Sequence, residues 1–212
     1  MTRRHANATL SLVDADHRDI AVLVDAALRE PDPNAFGAIQ WAIVRAGDAA
    51  IPRLEPALDD PSATRRHRAI EALEKIDSPA TRAVIAKAVG HDDPHIRSRA
   101  HFACGRSGDA ASIVPLVELV ALGHEDVEAS DVLAQLAVQH HFAAAIVQSI
   151  AAATRSADAK GRGRLAAALA SVPGDEAMEL LDRLAQDPEP SVALMARGLR
   201  KQRLASEAPP RA

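Results

Sequence analysis

An apolar position recurs about every thirty residues along nearly the whole chain. Its members, separated by 30 to 33 residues, are Ile43, Leu73, Cys104, Leu136, Leu169 and Leu199. Four residues before each member lies a second column, formed by Ile39, Ala69, Ala100, Val132, Leu165 and Met195. An i, i+4 pair of apolar residues presents one face of a helix. A fixed period of this length, built from helical faces, is typical of stacked helical repeats. The sequence therefore predicts an all-α solenoid in which both columns are buried.

The composition agrees with a core of small aliphatic side chains. Hydrophobic residues make up 48% of the 212 residues, whereas aromatic residues make up only 2%, and small side chains suit close packing of helices. The single cysteine, Cys104, excludes an internal disulfide framework and fits a reducing compartment. No apolar run approaches the roughly 20 residues of a membrane span, and no signal-peptide core is visible. We therefore expect a cytoplasmic protein that does not bind membranes.

The turns divide each repeat into two helices. Asp-Pro pairs such as Asp93-Pro94 start second helices, because Asp caps a helix and Pro fits its first turn. Gly-Asp pairs such as Gly108-Asp109 end them, because Gly adopts the left-handed conformation of a helix end. Six antiparallel pairs are predicted, at 16–30/34–46, 49–58/62–76, 80–89/95–106, 110–122/126–139, 142–154/159–172 and 175–186/190–204. They form one domain over residues 14–205, between a poorly ordered N-terminus (1–13) and a disordered tail (206–212).

Several segments resemble a known repeat family. Residues 93–100 (Asp-Pro-His-Ile-Arg-Ser-Arg-Ala), followed by residues 105–109 (Gly-Arg-Ser-Gly-Asp), resemble the HEAT repeat, particularly its short bacterial form in phycobilin-lyase-type proteins. Residues 50–54 and 112–116 resemble the first helix of that repeat. The resemblance covers about residues 16–203. It implies a right-handed superhelix whose second helices line the concave face, and adaptor function more often than catalysis.

The enzymes of this family have sites that can be looked for here. Deoxyhypusine hydroxylase holds two irons with His-Glu pairs on second helices, but only His67 occupies such a slot in this chain, and Arg68 follows it where the carboxylate would be. The HEAT-like DNA glycosylases place aromatic residues near the lesion, and this chain offers only Trp41 and three phenylalanines. Bilin attachment is unsupported as well, because likeness between repeats carries no site. The resemblance therefore implies no catalytic site.

The histidines and the cysteine offer two further candidate sites. Gly-His-acid turns at His91 and His124 are 33 residues apart, so neighbouring repeats would hold them roughly 10 Å apart. That distance is too long for one ion to bind both imidazoles, so turn structure is the better interpretation. His101 precedes Cys104 by one turn and could activate the thiol, but the position of Cys104 in the apolar column favours a buried, inert thiol. We expect no catalytic residue, no metal and no cofactor.

Charge is distributed unevenly between the two kinds of helix. Counting each Lys and Arg as +1 and each Asp and Glu as −1 gives the net charge of each second helix. The values are +1, +2, +3, −2, +3 and +4 for residues 34–46, 62–76, 95–106, 127–139, 160–172 and 190–204. The sum is +11, whereas the whole chain carries −4. One interpretation is a positive face available to a ligand. The other is that arginines near helix ends pair with the acidic turns.

Helical phase separates the two interpretations for individual arginines. Arg66, Arg97 and Arg162 lie seven residues before the apolar column and point towards the packed seam, where they would hold the Asp-rich turns. A second set lies five residues before the column, about 120° from the apolar direction. These side chains, predicted to be exposed, are Arg68, Arg99 and Arg164.

The hypothesis that follows is a non-catalytic interaction scaffold whose basic groove holds an acidic peptide or protein surface. The residues expected to contact the partner are Arg68, Arg99, Arg164, His67, Arg106, Arg200 and Lys201. The alternative is a nucleic-acid-binding protein of the same repeat class. Overall acidity and the scarcity of aromatic residues for base stacking favour the protein partner.

Overall fold

A computed structural model describes residues 17–207 of the chain. Over these residues it contains twelve α-helices and no β-strand. The first six are α1 (His17–Arg29), α2 (Pro33–Ala46), α3 (Ile51–Ala57), α4 (Ala63–Ile76), α5 (Pro79–Lys87) and α6 (Pro94–Arg106). The second six are α7 (Ile113–Leu122), α8 (Asp126–Gln139), α9 (Ala143–Ala153), α10 (Ala159–Leu169), α11 (Asp175–Leu184) and α12 (Pro190–Glu207). They make six consecutive pairs, which confirms the prediction of an all-α repeat fold.

The chain divides into two compact units, one ending at Ala103 and the other beginning at Cys104, where the sequence predicted a single domain. In the first unit α1 packs against α2 and α3 against α4, while α4 also contacts α1 and α2. In the second unit α7 packs against α8 and α11 against α12, and α10 contacts both α7 and α12. Each unit therefore builds its core by stacking one helix pair on the next.

The predicted turn chemistry sets the helix boundaries. The side chain of Asp32 accepts a 2.9 Å hydrogen bond from the backbone N–H of Asn34 at the start of α2. Gly108, which follows α6, has a φ of +89°, a conformation that residues with a Cβ rarely adopt. Local capping thus accounts for helix bounds that agree with the sequence prediction to within about three residues.

The two apolar columns form much of the core. Ile43, Leu73, Leu136 and Leu169 of the first column are fully buried. In the second column Met195 is 46% exposed and Ile39 is only partly buried, as is Leu199 in the first column, so the prediction that both columns are buried was wrong at these positions. Met195 lies on α12, the last helix that the structure describes, and no further described helix covers it.

The C-terminal boundary also differs from the prediction. Helix α12 continues to Glu207, so residues 206 and 207 are helical where the sequence predicted the start of a disordered tail. The N-terminal segment 1–13 and residues 208–212 lie outside the described residues. Among residues 17–207, no helix has the length and apolarity that a membrane span requires.

Candidate functional site

Two arginines that the sequence placed in the packed seam hold the acidic turns of the next repeat. The guanidinium of Arg66 contacts Asp93 through Nε at 3.0 Å and Nη2 at 2.6 Å. Both Arg66 nitrogens reach Oδ2 of Asp93, whereas Arg162 binds both oxygens of Asp187, Oδ2 through Nε at 2.7 Å and Oδ1 through Nη2 at 2.9 Å. These pairs confirm the structural role predicted for Arg66 and Arg162. They also support the interpretation that part of the second-helix charge is neutralised within the protein.

The third seam arginine binds backbone instead of a carboxylate. Nη1 of Arg97 donates to the carbonyl oxygens of His91 at 2.5 Å and Asp92 at 2.8 Å. The imidazole Nδ1 of His91 in turn accepts a 2.9 Å hydrogen bond from the backbone N–H of Asp93. The His91 turn is therefore held by hydrogen bonds, in line with the structural interpretation of its histidine.

The carboxylate of Asp93 is the centre of a charged cluster in the first unit. It accepts hydrogen bonds from Arg66, from the backbone N–H of His95 at 2.9 Å and from Nε2 of His67 at 3.2 Å. The rings of His67 and His95 stand 4.2 Å apart. Burial alone would raise the pKa of Asp93, but these hydrogen bonds outweigh it and hold the pKa well below its usual value. His67 thus contributes to an internal network.

Arg68, predicted to be exposed, is buried with 9% of its surface accessible. Its Nη1 donates a 3.2 Å hydrogen bond to the carbonyl oxygen of Ala27, near the end of α1. Its guanidinium also lies over the ring of Phe36, 4.6 Å from the centroid, a favourable cation–π distance. The prediction of a ligand-facing Arg68 was wrong on exposure.

Arg164 is only partly exposed and makes the equivalent contact in the second unit. Its Nε donates to the carbonyl oxygen of Val120 at 2.9 Å and its Nη2 to that of Ala121 at 2.6 Å. Both carbonyls belong to the last turn of α7, just as Ala27 belongs to the last turn of α1. Arg68 and Arg164 therefore each donate to last-turn carbonyls of the first helix of the preceding repeat, the helix end at which a cationic side chain is favourable.

Arg99 is also less exposed than predicted. Its Nε lies 2.8 Å from a carboxylate oxygen of Glu74 and its Nη2 3.2 Å from the other, and the guanidinium lies 5.4 Å from the ring centroid of Phe102. The prediction that all three arginines are exposed failed because it considered only the angle between each side chain and the apolar column around the helix axis. In stacked repeats, that direction leads to the neighbouring helix, which a long side chain can reach.

The remaining predicted contact residues differ in how strongly they are engaged. Arg106 forms a 3.2 Å ion pair with Glu128, and Arg200 pairs with Asp182. Lys201 is exposed. Of the predicted contact residues, Lys201 thus keeps the exposed charge that the hypothesis requires.

A groove on the second helices lies between α10 and α12. It has a volume of about 560 Å³ and is lined by Ala159, Lys160, Gly163, Arg164, Ala167, Glu189, Ser191, Val192 and Met195. Arg164 was predicted as a site residue, whereas Lys160 and Met195 were not. The position of Lys160 on a second helix could have indicated that it is a site residue. Met195 could not be found in this way, because its place in the apolar column predicted that it is buried.

A larger groove lies on the first helices α7 and α9 and was not predicted. Its volume is about 760 Å³, and its walls are Val114, Val117, Glu118, Ala121, Leu122, Ser149, Ala152, Ala153, Ser156, Ala157, Asp158 and Arg164. The sequence contained a signal for it. Val114 and Leu122 are apolar but lie off the stripe of Ile113, Leu116, Val117 and Val120 that α7 buries.

The candidate thiol is part of the core. Cys104 is buried, and burial raises the pKa of its thiol, with the charge of Asp109 adding to the effect. The burial confirms that part of the interpretation, and because a raised pKa leaves little thiolate near neutral pH, low reactivity stays a prediction. Across residues 17–207, no three His, Cys, Asp or Glu side chains converge as the ligands of a metal ion would.

Stacked helix pairs, arginine-capped first helices and Asp-Pro turns define an α-helical repeat scaffold. Residues 51–137 match the family model of HEAT repeats, and this segment of the chain thus consists of HEAT repeats. No curated protein sequence matches the chain. Among solved structures, a designed armadillo repeat protein is similar, with 15% identity and a TM-score of 0.45. That match covers 86% of this chain and 98% of the designed one.

Proposed function

We propose that this protein is a non-catalytic interaction scaffold that holds an acidic peptide or acidic protein surface on its second helices. The observation that carries the proposal is the groove between α10 and α12. It combines the cationic side chains of Lys160 and Arg164 with the exposed apolar surface of Met195. Peptide grooves commonly join an apolar anchor site to charges that fix orientation.

The surrounding charge supports an acidic ligand. Residues 160–172 and 190–204 carry +3 and +4, the highest values beside the +3 of residues 95–106. Arg162 and Arg200 are neutralised by Asp187 and Asp182, whereas Lys160 and Lys201 are exposed. The burial of Arg68 and the ion pair of Arg99 move the proposed surface away from the first unit. The proposed contact residues are therefore Lys160, Arg164, Met195 and Lys201.

The test uses labelled peptides of similar length that are acidic, neutral or basic, each with one Leu as an anchor. The acidic peptide should bind the wild-type protein, and binding should weaken with salt, because opposite charges at an exposed interface are screened. The double variant Lys160→Glu/Lys201→Glu should lose most of the affinity. The double variant Arg53→Glu/Arg183→Glu is the control, because it changes the net charge by the same amount at exposed cations of the first helices α3 and α11.

Equal loss of binding in the control and in Lys160→Glu/Lys201→Glu would contradict the proposal, because the effect would then follow net charge and not the groove. Tight binding of a short DNA duplex that competes with the acidic peptide would favour the nucleic-acid alternative. Melting temperatures of all variants should stay close to that of the wild type, since each substituted side chain is exposed.

A further inference from the structure

The groove between the first helices α7 and α9 is a second candidate binding surface, which shares only Arg164 with the lining of the groove on the second helices. We propose that it binds an amphipathic helix of a partner protein that carries Lys or Arg beside its apolar stripe. The occupant is thus opposite in charge to the ligand proposed for the second helices.

One wall of the groove is an apolar stripe that the fold leaves uncovered. Helix α7 already buries Ile113, Leu116, Val117 and Val120 in the core. On another face of the same helix, Val114 is 57% exposed and Leu122 is 65% exposed. They are eight residues apart with Glu118 between them, so the three side chains form one line along the helix. Exposed apolar side chains in such a line, inside a groove, mark an interaction surface.

The opposite wall consists of small side chains. Ser149, Ala152 and Ala153 lie at i, i+3 and i+4 on α9, so they share one face, and Ser156 just beyond the helix also lines the groove. Small residues let another helix approach closely, to about 8–10 Å between axes. A wall of small residues facing a wall with Val114 and Leu122 fits a helix whose larger apolar side chains fill the space.

The charged residues at the groove determine whether the partner's side chains should be positive or negative. Glu118 and Asp158 are exposed and line the groove on different elements. The Oδ1 of Asp158 accepts a 2.7 Å hydrogen bond from the backbone N–H of Gly161, which holds this carboxylate in place. Arg164 also lines the groove, but its Nε and Nη2 donate to the carbonyls of α7. The two exposed carboxylates of the groove thus outnumber the partly exposed Arg164 cation, and they attract cationic side chains and repel acidic ones.

The groove is formed before a partner binds. Arg164 of α10 is hydrogen-bonded to the last turn of α7, so the end of the groove at Ala121 and Asp158 is held by contacts within the unit. A surface that needs no rearrangement loses less conformational entropy on binding. This supports recognition of a short helix.

The experiment uses three fluorescein-labelled peptides of about 18 residues, or five helical turns. All have Leu at i, i+3, i+4 and i+7; the first has Lys beside the stripe, the second has Glu there, and the third is a scrambled form of the first. Fluorescence anisotropy should show that the Lys peptide binds the wild-type protein at least roughly tenfold more tightly than the other two. Glu118→Lys and Leu122→Ser should each weaken that binding by roughly tenfold.

Glu179→Lys is the matched control, because Glu179 is an exposed carboxylate on the first helix α11, outside the groove. It should leave the affinity for the Lys peptide within about twofold of the wild type. Affinity that is unchanged by both Glu118→Lys and Leu122→Ser would overturn the proposal, as would equal binding of the scrambled peptide. A dimer in sedimentation experiments that Leu122→Ser dissociates would overturn it too, since a second copy of the chain would then occupy the groove. The double variant Lys160→Glu/Lys201→Glu should still bind the Lys peptide, so failure of the acidic-ligand proposal would leave this result unaffected.

Discussion

The guanidinium of Arg164 donates a 2.6 Å hydrogen bond from Nη2 to the carbonyl oxygen of Ala121, 43 residues earlier in the chain. This contact caps the last turn of α7 from outside the helix, since the final carbonyls of a helix have no partner within it. Two glycines make room for the contact. Gly123 has a φ of +76° and lies directly against the Arg164 guanidinium, and Gly161 lies against the Ala121 carbonyl. The junction joins two repeats and borders both grooves.

Replacement of Gly161 should reveal how tightly this junction is packed. A Cβ at residue 161 would lie 2.7 Å from the carbonyl oxygen of Ala121, so Gly161→Ala should lower the free energy of unfolding by about 1–3 kcal/mol. Gly198 in α12 is the control, because no atom lies within 4 Å of the position its Cβ would take. Gly198→Ala should be neutral or stabilise by about 0.5–1 kcal/mol, as a helical Gly→Ala change usually does. Urea unfolding measures both changes, and equal effects would contradict the steric explanation.

Reversal of the buried Arg68 should cost stability. Arg68→Glu would place a carboxylate beside the carbonyl oxygen of Ala27, where the native side chain donates a hydrogen bond. We expect a loss of about 2–4 kcal/mol. Arg53→Glu makes the same change of charge at an exposed position of α3 and should change stability by less than about 0.5 kcal/mol. An unchanged melting temperature for Arg68→Glu would restore the view that Arg68 serves a ligand.

The apolar column should tolerate no charge in its centre. Leu136 is fully buried, whereas Val138 on the same helix is 59% exposed. Leu136→Asp should therefore destabilise the protein by more than about 3 kcal/mol, because an unpaired carboxylate would lie in an apolar core. Val138→Asp should have a small effect. Thermal unfolding followed by circular dichroism compares the two, and similar melting temperatures would argue against the column as the core.

Stability should decrease in acid because of Asp93 and Asp187. Burial opposes ionisation of Asp93, but the hydrogen bond from Arg66 and those from His95 and His67 lower its pKa in the folded protein. For Asp187, the hydrogen bond from Arg162 is the largest cause of a lowered pKa. A lowered folded-state pKa stabilises the protein above the unfolded-state value of about 4. That stabilisation is lost as pH falls below this value, through the folded-state pKa.

Urea unfolding at several pH values from neutral to about pH 3 tests this dependence. Asp93→Asn should be less stable than the wild type at neutral pH and should lose less stability on acidification. Arg66→Gln should act in the same direction, since it removes the donor that lowers the pKa of Asp93. If Asp93→Asn loses as much stability in acid as the wild type does, carboxylates other than Asp93 cause the pH dependence of stability.

The buried thiol of Cys104 should react slowly in the native protein. Burial excludes reagents and raises the pKa of the thiol, so little thiolate forms at pH 7 to 8. Alkylation by iodoacetamide should proceed slowly in buffer and rapidly in urea. Comparable rates in the two solvents would show that the thiol is accessible or activated.

The helices and their pairing could be predicted from the sequence because they depend on local chemistry. The period of the columns, the Asp-Pro starts and the Gly-Asp ends each act within a few residues, and they placed the bounds of α2 and α6 to within one residue. The roles of Arg66 and Arg162 were predictable for a related reason, since an arginine pointing into the seam meets the acidic turn of the next repeat. The exposure of Met195 was not predictable, because burial of a column position requires a neighbouring helix.

The sequence by itself determined that this protein is an all-α repeat protein, which residues form most of the buried columns and which arginines hold its turns. Only the tertiary structure decided that Arg68 and Arg164 cap helices 41 to 44 residues away and that grooves open beside α9 and α12. The physical reason is the distance along the chain over which the interactions act. A helix is encoded by contacts over three or four residues, whereas the reach of a long side chain and the space between two helices depend on how one repeat stacks on the next.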